Sequence, residues 1–126
     1  MPARIMIVDD EEYIRKALIC LLEDHGEFHL RAVHSAEEAL RELESEPADL
    51  CIVDLRLPGM SGEEFILTAR ELGRCPRHVL HTGSVEYTLS NNLGKIGMTE
   101  QDVLRKPCDS MRILERVRAP LGPGAE

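Results

Sequence analysis

At 126 residues, 43% of them hydrophobic and 30% charged, the chain is long enough to bury one core and too short for two domains. Fifteen basic against 23 acidic residues leave a net charge of −8, which argues against nucleic acid as a partner of this domain. No apolar run approaches the roughly 18 residues of a membrane helix and the start carries no signal-peptide pattern, so a cytoplasmic location without membrane contact is expected.

The chain opens with a continuous apolar run, RIMIV (4–8), as in a strand covered on both faces, and runs straight into Asp9, Asp10, Glu11 and Glu12. Ile14, Ala17, Leu18, Leu21 and Leu22 then fall on one helical stripe that Gly26 can end. FHLRAV (28–33) alternates apolar and polar residues, which places a strand near the sheet edge. Ser35 and Glu38 have the spacing of a capping box, ahead of a helix burying Ala39, Leu40 and Leu43. LCIVD (50–54) is a second buried strand, followed by a turn at Pro58 and Gly59 and a helix around 62–72 with Phe65, Ile66 and Ala69 inward.

HVLHT (78–82) and DVLRK (102–106) read as the fourth and fifth strands. Between them, Asn91, Asn92, Gly94 and Gly97 permit only a short or frayed helix. A last helix follows Pro107, which fixes the turn after the strand. Asp109 is its candidate cap, and Ile113, Leu114 and Val117 face inward. Residues 120–126 form a Pro/Gly tail or the start of a linker, leaving 1–119 as the domain. Cys20, Cys51, Cys75 and Cys108 lack the patterned spacing of a metal cluster or disulfide framework and read as reduced thiols. Cys20 and Cys51, set among apolar neighbours, read as packing residues. His78 and His81 lie three apart on a strand, face opposite ways and cannot share one ion, which weakens a metal reading through histidine.

Five strands alternating with helices predict an α/β domain with a mainly parallel sheet and helices on both faces. Ligands of such sheets bind at the carboxyl ends of the strands. Asp9, Asp10, Asp54, Thr82 and Lys106 all stand at those ends, each after an apolar run. Two carboxylates about 4 Å apart repel by roughly 4 kcal/mol at an effective dielectric near 20. A hard cation removes that cost, and oxygen-only ligands suit magnesium. A cation, an ammonium, a hydroxyl and a free carboxylate are the parts that receive a phosphoryl group. Glu11 and Glu12 read as first-turn helix residues without a chemical role.

Asp9, Asp10, Asp54, Thr82, Lys106 and Pro107, with DLRLPGMSGEEF around the central aspartate, resemble the receiver domain of two-component response regulators over about residues 3 to 118. The resemblance implies a flavodoxin-like, doubly wound five-stranded parallel sheet of order 2-1-3-4-5. It implies that Asp54 is the phosphoacceptor, taking its phosphoryl group from a phosphohistidine on a sensor histidine kinase or histidine phosphotransfer protein. It implies magnesium held by Asp10, Asp54 and the backbone carbonyl of Arg56, with Asp9 holding the metal through water. Thr82 and Lys106 would contact the phosphoryl oxygens, and Arg56 and Ser84 would tune the life of the phosphoaspartate. Phosphorylation would then rearrange the face of the fourth helix, fifth strand and fifth helix. That face would engage an output partner or a second copy of the chain.

One departure stands out. The family often carries an aromatic residue three positions before the strand-five lysine, where this chain has Val103; Tyr87 is the nearest aromatic in the neighbouring stretch. Two other functions compete. An aspartyl-phosphate phosphohydrolase typically needs a second aspartate two residues after the nucleophile, and Arg56, which cannot donate a proton at neutral pH, stands there. A binding module independent of phosphorylation would not need the complete five-residue set. A self-phosphorylating receiver, and no conventional turnover enzyme, is the expectation.

Overall fold

Alternate residues of the central strands serve two different cores, and this fixes the layering. In the computed structural model, which describes residues 3–84, 86–106 and 110–119, β1 (Ala3–Val8) sends Ile5 and Ile7 to one side and Met6 and Val8 to the other. β3 (Leu50–Val53) divides in the same way, Leu50 and Ile52 against Cys51 and Val53. This is the two-residue period of a strand buried on both faces. Ile5, Ile7, Leu50 and Ile52 pack under α1 (Glu12–Glu23) and α5 (Ser110–Arg118) through Leu18, Leu22, Ile113, Leu114 and Val117. Met6, Val8, Cys51 and Val53 pack under α2 (Ala36–Ser45), α3 (Gly62–Leu72) and the short α4 (Asn91–Lys95), through Ala39, Leu43, Phe65, Ile66, Ala69 and Leu93. Burying each of these large side chains contributes about 1.5–3 kcal/mol.

The remaining strands are β2 (Phe28–Val33), β4 (Arg77–Thr82) and β5 (Val103–Arg105), and all five pair in parallel in the order β2-β1-β3-β4-β5. This is the predicted doubly wound sheet. β2 lies at an edge, as its alternating pattern anticipates. Among the described residues no helix is long and apolar enough to cross a membrane.

Several local expectations change. Ala17 and Cys20 are exposed, so the buried stripe of α1 is narrower than its spacing suggests and Cys20 is no packing residue. α1 ends at Glu23 with Asp24 as its cap; Gly26, at φ +63°, makes the turn beyond it. Ser35 caps α2 by accepting from the Glu38 N–H at 3.1 Å, but the Glu38 carboxylate reaches the N–H of His34 instead of closing the box on Ser35. Reciprocal capping boxes lie instead at Ser61 and Glu64 on α3 and at Thr99 and Asp102. β5 is shorter than predicted: Asp102 belongs to a 3-10 turn, Glu100–Asp102, where its carboxylate accepts from the Thr99 N–H and pairs with Arg116 at 3.2 Å. The expectations placed on Pro107, Cys108, Asp109 and the tail from residue 120 lie outside the described residues.

Candidate functional site

Register, more than any single contact, assembles the site. Val8 of β1 is paired with Val53 of β3, so Asp9 and Asp54 leave the sheet side by side, each one residue beyond a paired valine. The Asp54 N–H donates to the Val8 carbonyl at 2.9 Å, which anchors that step. On the other flank Thr82 is paired with Arg105, and the Lys106 N–H donates to the Thr82 carbonyl at 2.7 Å. The lysine thus leaves β5 beside β4 and crosses toward β1 and β3.

Its ammonium lies 3.1 Å from Asp9 Oδ2 and 3.8 Å from Asp54 Oδ1. Glu11 Oε1 is 3.7 Å away, so Glu11, read from the sequence as a bystander, belongs to the charge cluster. Asp9 and Asp54 are buried and Asp10 is exposed, with ligand oxygens of all three within 4.8 Å of one another. Asp9 Oδ1 also accepts from the Glu11 N–H at 2.9 Å, which fixes its carboxylate at the start of α1. Thr82 is buried, and its hydroxyl oxygen accepts from the Ser84 N–H at 3.1 Å. Arg56 is exposed, and its N–H approaches Asp54 Oδ1 at 3.4 Å.

The electrostatics follow from three clustered carboxylates facing one ammonium. Burial first, then the charge of Asp9, push the Asp54 carboxyl up to about 6, against a partial pull downward by Lys106. Burial works to lower Lys106, but its hydrogen bond to Asp9 and the charges of Asp9, Asp54 and Glu11 outweigh that and leave it raised. His81, on the α1 and α5 side, is pushed down to about 4 by burial and by the nearby ammonium. A carboxyl that resists ionisation beside another carboxylate is a site short of positive charge. The donor set is oxygen-only and one side is open through Asp10, so the residues fit a hard divalent cation such as magnesium.

One contributor escaped the sequence reading. Gly62, the first residue of α3, packs on the segment that follows Asp54; a Cβ there would stand 2.2 Å from the Asp54 carbonyl oxygen and 2.9 Å from Leu55 Cα. Its N–H donates to the Leu55 carbonyl at 3.0 Å. Only glycine allows α3 to begin this close to the Asp54 backbone. The accompanying sequence signal was the small residue following the Ser61 cap.

Comparison with known proteins agrees with this geometry. The family model of the response regulator receiver domain matches residues 5–118. The chain is 31% identical over 122 residues to the sensory transduction protein RegX3 of Mycolicibacterium smegmatis, covering 97% of this chain and 52% of that protein. It is 34% identical over 125 residues to the transcriptional regulatory protein FixJ of Azorhizobium caulinodans, covering 97% and 56%. The chain therefore spans about half the length of these curated relatives. Among solved structures, a response regulator receiver protein from Pseudomonas putida superposes with a TM-score of 0.79 at 27% identity, covering 94% of this chain and 98% of that one. A CheY-like receiver domain protein from Methanospirillum hungatei gives 0.77 at 25% identity, covering 96% and 94%. With its sheet order, its clustered aspartates and a family match over nearly its whole length, the chain belongs to the response regulator receiver domains of two-component signalling.

Proposed function

We propose that this domain accepts a phosphoryl group on Asp54 from a phosphohistidine of a sensor histidine kinase or phosphotransfer protein, and that the modification changes its partner contacts. The observation that carries the reading is the convergence of Lys106 on Asp9 and Asp54, with Asp10 completing the carboxylate cluster. In the transfer, an Asp54 carboxylate oxygen forms a bond to phosphorus as the bond from phosphorus to the histidine nitrogen breaks. The electron pair stays on the imidazole, which takes a proton from water. Lys106, already drawn in by Asp9, faces the phosphoryl oxygens, and the Thr82 hydroxyl donates to one of them after leaving the Ser84 N–H. Asp10, Asp54 and the Arg56 carbonyl would hold magnesium, with Asp9 supporting it. The metal's chemistry there is neutralisation of carboxylate and phosphoryl charge. Arg56 and Ser84 flank the modified carboxyl and govern the access of hydrolytic water.

The output is assigned to α4, β5 and α5, toward an output partner or a second copy of the chain, in the cytoplasm. Val103 is buried at the position where the family often has an aromatic residue, so a rotating ring there is not the relay. Arg105 instead ties β5 to the preceding loop by donating to the Tyr87 carbonyl at 2.5 Å.

Incubation with phosphoramidate and magnesium, followed by intact-mass measurement, tests the acceptor. One phosphoryl adduct on the native chain and none on Asp54→Asn is the expected result. An adduct of equal rate on the variant sinks the assignment.

A further inference from the structure

Spacing in the chain argues against the cysteines as metal ligands, and the opposite facing of His78 and His81 against a site built on that histidine pair. The fold nevertheless gathers three of these residues. Cys51, on β3, is the sheet partner of His78 on β4, so both side chains emerge on the same face, beneath α3. Cys75 lies three residues before His78, in the link from α3 to β4, and its Sγ stands 3.1 Å from Cys51 Sγ. Ligand atoms of all three lie within 4.8 Å of one another, and all three residues are fully enclosed: Cys51 0% exposed, Cys75 1% and His78 3%. The imidazole stands edge-on to Phe65, with ring centroids 6.1 Å apart.

His78 supplies the second, independent observation. Neither of its ring nitrogens meets a partner in hydrogen-bonding geometry among the described residues. The polar group it faces is the Cys75 sulfur, which it draws toward the thiolate, and a buried polar atom left unpaired costs about 1–3 kcal/mol. A cation bound between the two sulfurs and the ring would satisfy one of them. We propose that Cys51, Cys75 and His78 form a buried site for one zinc ion, toward the amino ends of β3 and β4.

Charge selects the ion. Two thiolates and a neutral imidazole around a dication sum to zero, the only cheap sum in an enclosed apolar setting, whereas a monovalent soft cation would leave a buried negative charge. Binding takes both sulfurs as thiolates. Cys75 is already drawn down to about 5 by Cys51 and His78, so the proton released to solvent comes chiefly from the buried Cys51 thiol. Zinc–sulfur bonds of about 2.3 Å in a tetrahedral arrangement separate the sulfurs by roughly 3.8 Å, so the pair must part by about 0.7 Å from its present contact. The side chain able to move is Cys75, which belongs to no helix or strand. The Arg77 carbonyl, 3.3 Å from Cys75 Sγ, is at hand as a fourth ligand. Such an ion would tie the α3–β4 link to the strand that presents Asp54, independently of the carboxylate cluster at the other end of β3.

The test uses the reduced, chelator-stripped protein in excess magnesium, which occupies the carboxylates, with cobalt(II) as the spectroscopic probe. One equivalent bound with sulfur-to-cobalt charge-transfer absorption in the near ultraviolet, bleached by added zinc, is the expected result. Cys75→Ser and His78→Gln should lose that tight equivalent, and zinc should raise the unfolding temperature of the native chain but not of Cys75→Ser. Should either variant fail to fold, the native spectrum alone decides. Absence of the sulfur band overturns the site. So does a band that survives His78→Gln, or a native protein whose two thiols are already joined as a disulfide by mass.

Discussion

Asp54 is held where its charged form is disfavoured, and that has a measurable sign. Its folded-state value is about 6 against an ordinary 3.8, through burial first and Asp9 second. The protonated carboxyl therefore contributes stability that is fully present below 3.8 and is lost as pH rises through about 6. A shift of about two units corresponds to roughly 3 kcal/mol. Asp54→Asn keeps the shape and removes the charge, so in metal-free buffer near about pH 7.5 it should be more stable than the native chain by about 2 kcal/mol. Urea midpoints with and without magnesium measure this: the ion should stabilise the native chain and leave the variant nearly unmoved. A variant less stable than native without metal would refute the crowded-carboxylate account. Gly62 makes the complementary point through sterics. Gly62→Ala drives a Cβ to 2.2 Å from a backbone oxygen that has no flexible end to yield. A loss of about 2 kcal/mol or more is expected, together with slower labelling of Asp54 as the proposed acceptor, because the Asp54 peptide must move. Asp9, Asp54 and Lys106 were legible because each is a polar residue ending an apolar run. Gly62 was not, because its constraint exists only once α3 and the Asp54 segment meet.

At the scale of elements, what was legible follows from how strongly each segment is patterned. β1 and β3 are unbroken apolar runs and α3 carries both its cap and its inward stripe, so their positions follow from composition and spacing alone. The misreadings lie where a helix meets solvent or a partner decides the outcome. Ala17 and Cys20 have the polarity of core residues but fall outside the arc of α1 that the sheet covers. The Cys51, Cys75 and His78 cluster was invisible for a related reason, since parallel pairing brings together residues more than twenty positions apart. α4 is the weakest element. It has five residues, including Asn91, Asn92 and Gly94, and Leu93 is its one buried side chain. Poor helix formers and a single apolar anchor leave little to oppose local opening. Backbone amides of residues 93–97 should exchange with deuterium far faster than those of β1 and β3, at a free energy well below that of global unfolding. Leu93→Ala should widen the gap by removing the anchor. Equal protection in α4 and β1 would contradict this ordering.

Across the whole molecule, burial sets two titrations beside Lys106 in opposite directions over one pH window. The lysine faces Asp54 on the carboxylate side and raises the cost of charging His81 behind it. His81 is pushed down to about 4 from 6.5, by burial first and Lys106 second, while Asp9 pulls it back in part. Its contribution is therefore fully present above 6.5 and is lost as pH falls through about 4. Asp54 does the reverse, losing its contribution as pH rises through about 6. Between about pH 4 and 6 the two slopes oppose each other, each at most about 1.4 kcal/mol per pH unit. Single variants should separate them. The stability of the native chain relative to Asp54→Asn should grow as pH falls across this window, and relative to His81→Gln it should shrink. Urea titrations of the three proteins in metal-free buffer would show the two difference curves running in opposite directions. Parallel curves would mean that burial does not hold the Asp54 carboxyl and the His81 imidazole in their neutral forms. Adding magnesium should flatten the curve measured against Asp54→Asn more than the other, because the ion competes directly with the proton for Asp54 and reaches His81 only through the charges of Asp9 and Lys106.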